Sequence, residues 1–315
     1  MIIKPELVKK IKDYDVLYFH TIRFSKYINK IIKDNKALIN KIILDYNDAI
    51  SLNYSIAKRM ATGIWKIIYQ IEESRVKKCE LHLADKLKNF LIITKRDKEF
   101  IKNNWEKQNK NNFPEIQTLK YGVTLDNLYL HSPENKNIIV IGNMAYPPNK
   151  QGVQIFIKKI WPEIIKEEKN SSLIIAGKDS DKLTSIDNNI IGLGFVDDVK
   201  DLISKQAIFL NPVNFGAGIS TKALLAMSIG IPVISTQMGM AGIEESEDGI
   251  NFLLFDYTDI KKSSKKIIDA INEKIDVKKI GENGKKIIKE NYSEENSDKN
   301  FINIIEKVLD NSSSD

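Results

Sequence analysis

Cysteine, proline and long apolar runs are scarce in this chain of 315 residues. The single cysteine, Cys79, excludes a disulfide framework and any metal site built from several cysteines, and it fits a reducing cytoplasm best. The longest apolar stretch, residues 223–234, is interrupted by Ser228, Gly230 and Pro232, and it is shorter than the ~18 residues that a membrane span needs. The sequence therefore predicts a cytoplasmic protein without a transmembrane helix.

Core-forming residues, by contrast, are plentiful. Apolar residues make up 42% of the chain and charged residues 29%, with only 8 prolines and 15 glycines. This composition excludes disordered and fibrous architectures. Because a domain usually takes ~100–200 residues, the length predicts two domains.

Positive charge is concentrated in the first part of the chain. Residues 1–130 carry a net charge of +10 and residues 131–315 a net charge of −4. This asymmetry indicates either an acidic partner for the first part or a lysine-rich composition spread over solvated helix faces. Lys26, Lys30 and Lys33 follow one helix face beside three isoleucines, a pattern that fits peripheral contact with anionic lipid on the inner face of the plasma membrane, or an ordinary solvated face. Nucleic-acid binding is set aside, because the signatures of RNA-binding domains are missing.

Short apolar runs alternate with helical patterns throughout the second half of the chain. This alternation predicts a parallel sheet with helices on both faces, in which ligands bind at the carboxyl ends of the strands. Those ends fall at Gly142, Gly177, Gly194, Pro212 and Thr236.

The first half predicts a smaller sheet. Four strands are expected at residues 15–20, 41–45, 90–94 and 117–121, with one long helix from about residue 54 to residue 88. We predict a first domain over residues 1–130 and a second over residues 131–296. A last amphipathic helix within residues 297–315 is expected to return toward the first domain and to end in a polar tail.

The segment NPVNFGAGISTKALLAMSIGIPVISTQMGMAG, residues 211–242, carries the chemistry. Gly216-Ala217-Gly218-Ile219 lies between a strand end and a helix start, where small residues and helix N-terminal amides favour a phosphate group. Lys222, one turn into that helix, adds a cation. A tight turn with a capped helix is the alternative interpretation.

The motifs GNMAYPPN, LIIAGK, GLGFVDDVKDL and NPVNFGAGISTKALLAMSIGIPVISTQMGMAGI resemble the donor-binding domain of family 4 glycosyltransferases (glycosyl transferases group 1), in the bacterial branch that makes surface polysaccharides and exopolysaccharides. The resemblance extends back through DVLYFHTIRFSKYI and KIILDYNDAISLNY. It implies an α/β fold of two Rossmann-like domains, called GT-B. It also implies retaining transfer of a sugar from a UDP- or GDP-sugar to a hydroxyl of a glycan or lipid-linked acceptor, without a metal.

The resemblance also assigns roles in the second domain. Gly142 and Asn143 match the loop that touches the diphosphate, and Phe195 and Val196, after Gly194, match the residues that hold the nucleobase. Lys222 matches the basic residue on the following helix. The loop that presents amides to the sugar and phosphates is matched by Phe215, Gly216, Ala217, Gly218 and Ile219.

In the first domain, the resemblance places His20 in the sugar pocket, with Arg23 facing an anionic acceptor or the diphosphate. A satisfied surface histidine is the alternative for His20, and His82 and His131 are interpreted as structural. Four further residues match family positions, but we expect them to form salt bridges on helices: Asp48, Glu72, Arg75 and Glu80.

The chain departs from the family pattern in two ways. Leu225 occupies the position of a glutamate that binds the ribose hydroxyls, and Ala217 the position of a second glutamate that this branch often lacks. The residues before the strand DVLYFH are also fewer than the family has, which predicts an incomplete first domain. These departures motivate an alternative function, a non-catalytic glycosyltransferase-like subunit that binds a glycan or a partner. Asp179-Ser180-Asp181 resembles a metal-binding D-x-D motif, but its place in a charged loop argues against that role.

Overall fold

The structure is a computed structural model that describes residues 10–108, 113–126, 129, 132 and 134–313. The chain divides into two compact α/β units. Unit 1 comprises Met1–Tyr121 and Glu295–Asp315, and unit 2 comprises Gly122–Glu294. Each unit has its own parallel sheet. His131 lies outside the described residues.

Unit 1 is built on a four-stranded parallel sheet in which the strands lie side by side in chain order. All four strands predicted for this half are present, with ends that differ by up to three residues. They are β1 (Leu17–His20), β2 (Ile42–Asp45), β3 (Asn89–Ile92) and β4 (Ile116–Thr118). The helices of this part of the chain are α1 (Ser25–Asp34), α2 (Ile50–Met60), α3 (Gly63–Ala84) and α4 (Lys95–Glu106).

The single long helix expected over residues 54–88 is wrong, because α2 and α3 are separate helices. Gly63 at the start of α3 has a φ of +58°, a conformation that favours glycine and interrupts the helix. The two helices pack against each other, and an ion pair between Lys58 and Glu73 joins them.

The apolar face of α1 belongs to the core of unit 1. Ile28, Ile31 and Ile32 are buried there against the sheet and its neighbouring helices. Contrary to what the sequence pattern suggested, these isoleucines are therefore not exposed for insertion into a bilayer beside the lysines of α1.

Unit 2 is built on a six-stranded parallel sheet in the order β10-β9-β8-β5-β6-β7. Its strands are β5 (Ile138–Ile141), β6 (Leu173–Ala176), β7 (Ile190–Gly194), β8 (Ile208–Asn211), β9 (Val233–Ser235) and β10 (Leu253–Leu254). Its helices are α5 (Pro147–Lys159), α6 (Trp161–Glu167), α7 (Val199–Ser204), α8 (Thr221–Ile229), α9 (Gln237–Met240), α10 (Ile260–Ile271) and α11 (Val277–Asn291).

The inner strands of unit 2, β5, β6, β8 and β9, are buried on both faces, as their apolar runs predict, whereas Ile191 and Leu193 of the edge strand β7 are each 43% exposed. Ile138 and Val140 of β5 point into one apolar cluster and Ile139 into the other. This alternation is the period of two that a strand imposes on its side chains.

The last helix, α12 (Glu294–Ser313), packs on unit 1. Ile304 and Val308 contact the face of the unit 1 sheet formed by Ile43 and Leu91. Among the described residues, no helix combines the length and apolar character needed to cross a bilayer.

Candidate functional site

The strand order of unit 2 creates a switch point between β5 and β8. From β5 the chain builds outward through β6 and β7, and from β8 it builds in the opposite direction through β9 and β10. Ligands of open α/β sheets bind in the crevice at the carboxyl ends of such strands. The loops that follow β5 and β8 hold Gly142, Asn143 and residues 215–219, all singled out from the sequence.

Lys222 lies at this switch point, in the first turn of α8. Its Nζ donates a hydrogen bond of 2.7 Å to Oδ1 of Asn149 in α5. Nδ2 of Asn149 in turn donates to the carbonyl oxygen of Asn143, at 3.1 Å, in the loop after β5. Asn149 thus joins Lys222 to the loop of Gly142 and Asn143.

Sequence reasoning missed Asn149. It is 7% exposed, and a Cβ added to Gly142 would lie 2.9 Å from its Nδ2. The side-chain amide of Asn149 therefore occupies space that a larger residue at position 142 would fill. The Pro147-Pro148-Asn149 sequence at the start of α5 was the available signal, since it fixes a side chain at a helix start.

The Lys222 ammonium is partly buried, and no acidic side chain of the described residues pairs with it. Burial lowers its pKa to about 8. Within the ranges that the structure describes, Lys222 forms no ion pair, and its hydrogen bond goes to a neutral amide. A buried cation without a counterion is costly, so an anion bound beside Lys222 would be stabilised by it.

Hydrogen bonds from polar side chains hold the loop after β8. Nδ2 of Asn211 donates to the carbonyl oxygen of Gly239 at 3.0 Å, and the Thr236 hydroxyl donates to the carbonyl oxygen of Val213. The Tyr257 hydroxyl lies 3.0 Å from the carbonyl oxygen of Pro212. These hydrogen bonds tie the carboxyl end of β8 and its following loop to the end of β9, to α9 and to the Tyr257 segment.

Glycines bring the loops after β5, β6 and β7 together. Gly177 has a φ of +119°, and a Cβ on it would lie 2.2 Å from the carbonyl oxygen of Gly142. Its N–H donates to the carbonyl oxygen of Gly194 at 2.7 Å, and the Gly194 N–H donates to the Ser180 hydroxyl at 2.9 Å. Beyond Gly194, the Phe195 ring is 79% exposed at the same edge of the sheet, next to the partly buried Val196.

The loop of residues 215–219 has the expected small-residue geometry. Phe215 is buried, and Gly216 and Gly218 have φ values of +149° and +70°. Gly216, Ala217 and Gly218 each already have an interaction partner, and the Ala223 N–H at the start of α8 is capped by the Ser220 hydroxyl. The positive charge for an anion is therefore assigned to Lys222 rather than to open amides in this loop.

Three further side chains lie in this region: Ile219, Leu225 and Asn214. Leu225 and Ile219 are both partly buried against the apolar cluster on the α8 side of the sheet. The position of the family's ribose-binding glutamate thus carries an aliphatic side chain. In the same loop, Oδ1 of Asn214 is buried and has no hydrogen-bond partner within the described part of the chain.

His20 lies in unit 1, at the carboxyl end of β1. Its Nδ1 is 3.1 Å from Oδ2 of Asp45, which ends the neighbouring strand β2. The same oxygen accepts a 2.5 Å hydrogen bond from the Tyr18 hydroxyl. The His20 side chain is 56% exposed and the Asp45 side chain 10%, so the carboxylate is fixed and orients an accessible imidazole. Sequence reasoning missed Asp45 and Tyr18.

The other residues of unit 1 that match family positions differ in their surroundings. Arg23 is exposed in a short 3-10 turn and forms no ion pair within the described ranges. The salt bridge expected on a helix is present between Glu72 and Arg75, at 2.8 Å. His82 contacts Oδ1 of Asn29 through Nε2, at 3.2 Å, which fits the structural role expected for it.

The salt-bridge expectation is wrong for Asp48 and Glu80. Asp48 lies in the loop after β2 rather than on a helix, and burial together with the nearby Asp45 charge raises its pKa. Glu80 is 2% exposed and accepts hydrogen bonds from the hydroxyl and the N–H of Ser51. Burial raises the pKa of Glu80 to about 7.

Asp179 of the D-x-D sequence pairs with Lys182 at 2.7 Å. The hydrogen bond from Lys182 lowers the pKa of this exposed carboxyl. In the described structure the first aspartate of the motif is therefore part of a surface ion pair.

Comparison with known proteins identifies the sequence relatives of this site. Residues 135–273 match the family model described as "Glycosyl transferases group 1". A protein of Klebsiella pneumoniae, described as an uncharacterized 44.6 kDa protein in the cps region, is 28% identical over 249 residues. That match covers 75% of this chain and 60% of the relative.

Solved structures share the fold of both units. HepE of Anabaena, solved in complex with UDP and glucose, superposes with a TM-score of 0.68 at 14% identity, over 98% of this chain and 80% of that chain. TarM, a protein of S. aureus, gives a TM-score of 0.65 at 18% identity, over 89% of this chain and 57% of that one. The lipopolysaccharide outer core galactosyltransferase WaaB gives a TM-score of 0.65 at 17% identity, over 96% of this chain and 78% of that chain. The expected α/β fold of two Rossmann-like domains, GT-B, is thereby confirmed.

Proposed function

We propose, from the premise that residues 135–273 belong to the glycosyl transferases group 1 family, that this chain transfers a sugar from a nucleotide-diphosphate sugar to a hydroxyl group. The acceptor is a glycan or a lipid-linked glycan in the synthesis of surface polysaccharide. The relative in the cps region of Klebsiella pneumoniae supports this setting. We place the reaction in the cytoplasm.

Lys222 carries the proposal. It is a partly buried ammonium at the switch point of the unit 2 sheet, held by Asn149 and without a carboxylate among the described residues. A diphosphate is the anion that the leaving group of such a transfer develops. The negative charge on the diphosphate grows as the sugar leaves. A cation fixed beside the diphosphate therefore stabilises the transition state more than the bound donor.

The donor occupies the carboxyl ends of the unit 2 strands in this proposal. Gly142 and Asn143 contact the diphosphate, and Phe195 and Val196 hold the base of a UDP- or GDP-sugar. The exposed Phe195 ring and the positive φ of Gly194 support this, because they leave an aromatic face accessible beside the strand end. The loop from Phe215 to Ile219 faces the sugar. Lys222 supplies the charge for the leaving group, so the proposed transfer needs no metal.

The proposed reaction retains the anomeric configuration. The acceptor hydroxyl attacks the anomeric carbon on the same face from which the diphosphate departs. The bond between the anomeric carbon and the diphosphate oxygen breaks, and the acceptor hydroxyl oxygen bonds to the same face of that carbon. The hydroxyl proton passes to the departing phosphate oxygen. His20, oriented by Asp45, positions the sugar, and Arg23 faces the acceptor or the diphosphate.

A non-catalytic binding subunit is the second candidate, and Leu225 favours it. An aliphatic side chain replaces the carboxylate that would bind the ribose, and losing such a charged hydrogen bond costs ~1.5–3 kcal/mol. This loss corresponds to roughly 10- to 150-fold in affinity. A protein that binds a glycan or a partner without turning over a donor would tolerate it.

Calorimetric titration of UDP, GDP and their sugars into the full chain tests donor binding. We expect binding, and we expect Lys222→Met to weaken it by ~10- to 100-fold because a charged hydrogen bond to phosphate is lost. Lys159→Met, which removes an exposed lysine of α5, is the matched control and should bind as the wild type does. Absence of binding at millimolar nucleotide would end the transferase proposal.

Leu225→Glu tests where the ribose lies, and turnover of a donor by the wild type separates the two candidates. If the ribose lies over α8, the new carboxylate should tighten UDP binding by about tenfold, whereas Leu225→Gln should give less than half of that free energy. Unchanged binding in both variants would mean that the ribose is held elsewhere. Release of sugar from a UDP-sugar by the wild-type chain would exclude the non-catalytic candidate.

A further inference from the structure

The α2–α3 hairpin of unit 1 exposes an apolar surface at its tip. Six side chains form it, with exposed fractions from 37% to 65%. We call them the tip patch: Met60, Ile64, Trp65, Ile67, Ile68 and Ile71. Six large apolar side chains exposed together differ from the singly scattered hydrophobic residues of an ordinary surface, and such patches mark interaction sites.

The tip patch is a single face rather than a scatter of residues. Ile64, Ile68 and Ile71 follow one another at spacings of four and three, which places them on one side of α3. Trp65 lies beside this row, and its ring centroid is 6.0 Å from that of Tyr69. Aromatic and branched aliphatic side chains thus share one exposed face.

The tip of the hairpin is exposed. Thr62 and Gly63, which join the two helices, are exposed, and a Cβ added to Gly63 would meet nothing within 4 Å. The end of the hairpin is therefore open to a broad, deformable surface.

Cations surround the tip patch. Arg59 and Lys66 are exposed beside it, and Lys78 and Arg75, the latter paired with Glu72, continue the row of Ile64, Ile68 and Ile71 along α3. Over residues 50–84 the hairpin has six Lys or Arg residues and three glutamates, of which Glu80 is buried. An apolar face with a cationic border is complementary to an anionic bilayer, whose headgroups attract the cations while its interior takes the apolar side chains.

We propose that the tip patch docks the protein on an anionic lipid bilayer, with Trp65 and the isoleucines inserted at the headgroup level and Arg59 and Lys66 contacting the lipid phosphates. The helix lies at the surface rather than crossing it. Tryptophan is the side chain that best suits this depth, because its ring is apolar and its N–H can stay hydrated. The surface is distinct from α1, whose isoleucines are buried.

Tryptophan fluorescence of the full chain tests the docking directly. Trp65 is 58% exposed, whereas Trp105 and Trp161 are 3% and 1% exposed, so a change on adding vesicles reports Trp65. With vesicles of phosphatidylcholine and phosphatidylglycerol we expect a blue shift of the emission and co-flotation of the protein. Vesicles of phosphatidylcholine alone should give much less of both. Trp65→Phe should abolish the shift but still float.

Matched variants locate the binding face. Trp65→Ser with Ile68→Ser should weaken vesicle binding by on the order of 100-fold, since each inserted apolar side chain contributes about a factor of ten. Arg59→Glu with Lys66→Glu should weaken it on anionic vesicles only. Ile186→Ser, at an isoleucine of unit 2 that is 85% exposed, is the control and should bind as the wild type does. Circular dichroism checks that each variant folds.

Three outcomes would overturn the proposal. One is the lack of any emission shift or flotation with anionic vesicles. Another is binding that survives the Trp65 and Ile68 change but is lost when Lys26, Lys30 and Lys33 are replaced, which would return the contact to α1. The third is a wild-type oligomer, seen by light scattering, that the Trp65 and Ile68 change dissociates without affecting vesicle binding. The tip patch would then be a protein interface.

Discussion

At position 222 the chain holds an ammonium group where burial lowers its pKa to about 8 and where no carboxylate of the described residues pairs with it. Asn149 orients this group but cannot neutralise it. The charge of Lys222 therefore destabilises the folded chain without a ligand, and a bound anion would reduce this cost. The same feature that weakens the folded chain without a ligand therefore favours the binding of a diphosphate.

The pH dependence of stability follows from that pKa. The unfolded chain keeps the Lys222 proton up to about pH 10.5, whereas the folded chain releases it near pH 8. Between these values the unfolded state binds more protons, so the free energy of unfolding rises with pH. Below pH 8 the folded state bears the full cost of the buried charge, roughly 3 kcal/mol.

Lys222→Met should therefore be more stable than the wild type at pH 7, by up to roughly 3 kcal/mol, and this advantage should shrink as the pH rises from 8 to 10.5. Urea unfolding of both chains at several pH values measures it, with Lys159→Met as the exposed control. A Lys222→Met chain that is less stable than the wild type at pH 7 would contradict the burial of an unpaired charge.

Glu80 gives a pH dependence of the opposite sign. Its pKa is raised from 4.5 to about 7 by burial, so the folded chain binds more protons than the unfolded chain between these values. Stability should then fall as the pH rises from 4.5 to 7, and Glu80→Gln, which keeps hydrogen bonds to Ser51, should flatten this fall. Glu72→Gln, at a helix-surface carboxylate, is the control in urea unfolding. Equal slopes in the wild type and Glu80→Gln would show that Glu80 titrates normally.

Single residues of the site were only partly predictable from the sequence. Gly142 was singled out because it follows the end of a predicted strand, and Lys222 because it lies one turn into the helix after a small-residue loop, and their roles stay predictions. Asn149 and Asp45 could not, because a neutral amide and a carboxylate without periodic spacing gain their roles only from neighbours that are distant in the chain.

At the scale of elements, the loops of unit 2 are assembled by close backbone approaches. The loop after β6 touches the loop after β5 because Gly177 has no side chain, and α5 approaches the loop after β8 because Gly152 has none: a Cβ there would lie 2.2 Å from the Pro212 carbonyl oxygen. Strands β5 to β9 were predicted from their branched apolar runs, whereas the two-residue strand β10 was not. The break between α2 and α3 was not, because the apolar pattern continues across it and only Gly63 marks it.

Gly177→Ala and Gly249→Ala separate contact from backbone strain. Both glycines have a positive φ, but a Cβ on Gly177 would meet the Gly142 carbonyl oxygen at 2.2 Å, whereas one on Gly249 would meet nothing within 4 Å. We expect Gly249→Ala to cost about 1 kcal/mol in urea unfolding. Gly177→Ala should cost ~3 kcal/mol or more and should also weaken UDP binding, because the loop of Asn143 must move. Equal costs for the two variants would refute the loop-packing account.

At the scale of the whole molecule, the chain divides into two units, each with its own parallel sheet. Unit 2 holds Lys222 and the strand-end loops of the proposed donor site, and unit 1 holds His20 and the tip patch. The chain spans 60% of the length of its Klebsiella pneumoniae relative. The two-sheet fold could be predicted from the order of apolar runs. The exposure of the tip patch could not, because its spacing is the same as that of a buried helix face.

A crystal structure of the chain with UDP bound tests the central claim most directly. The account predicts diphosphate oxygens within hydrogen-bond distance of the Lys222 Nζ, with the uracil ring beside Phe195. Nucleotide density at another edge of the sheet, or crystals grown at millimolar UDP that hold none, would contradict it.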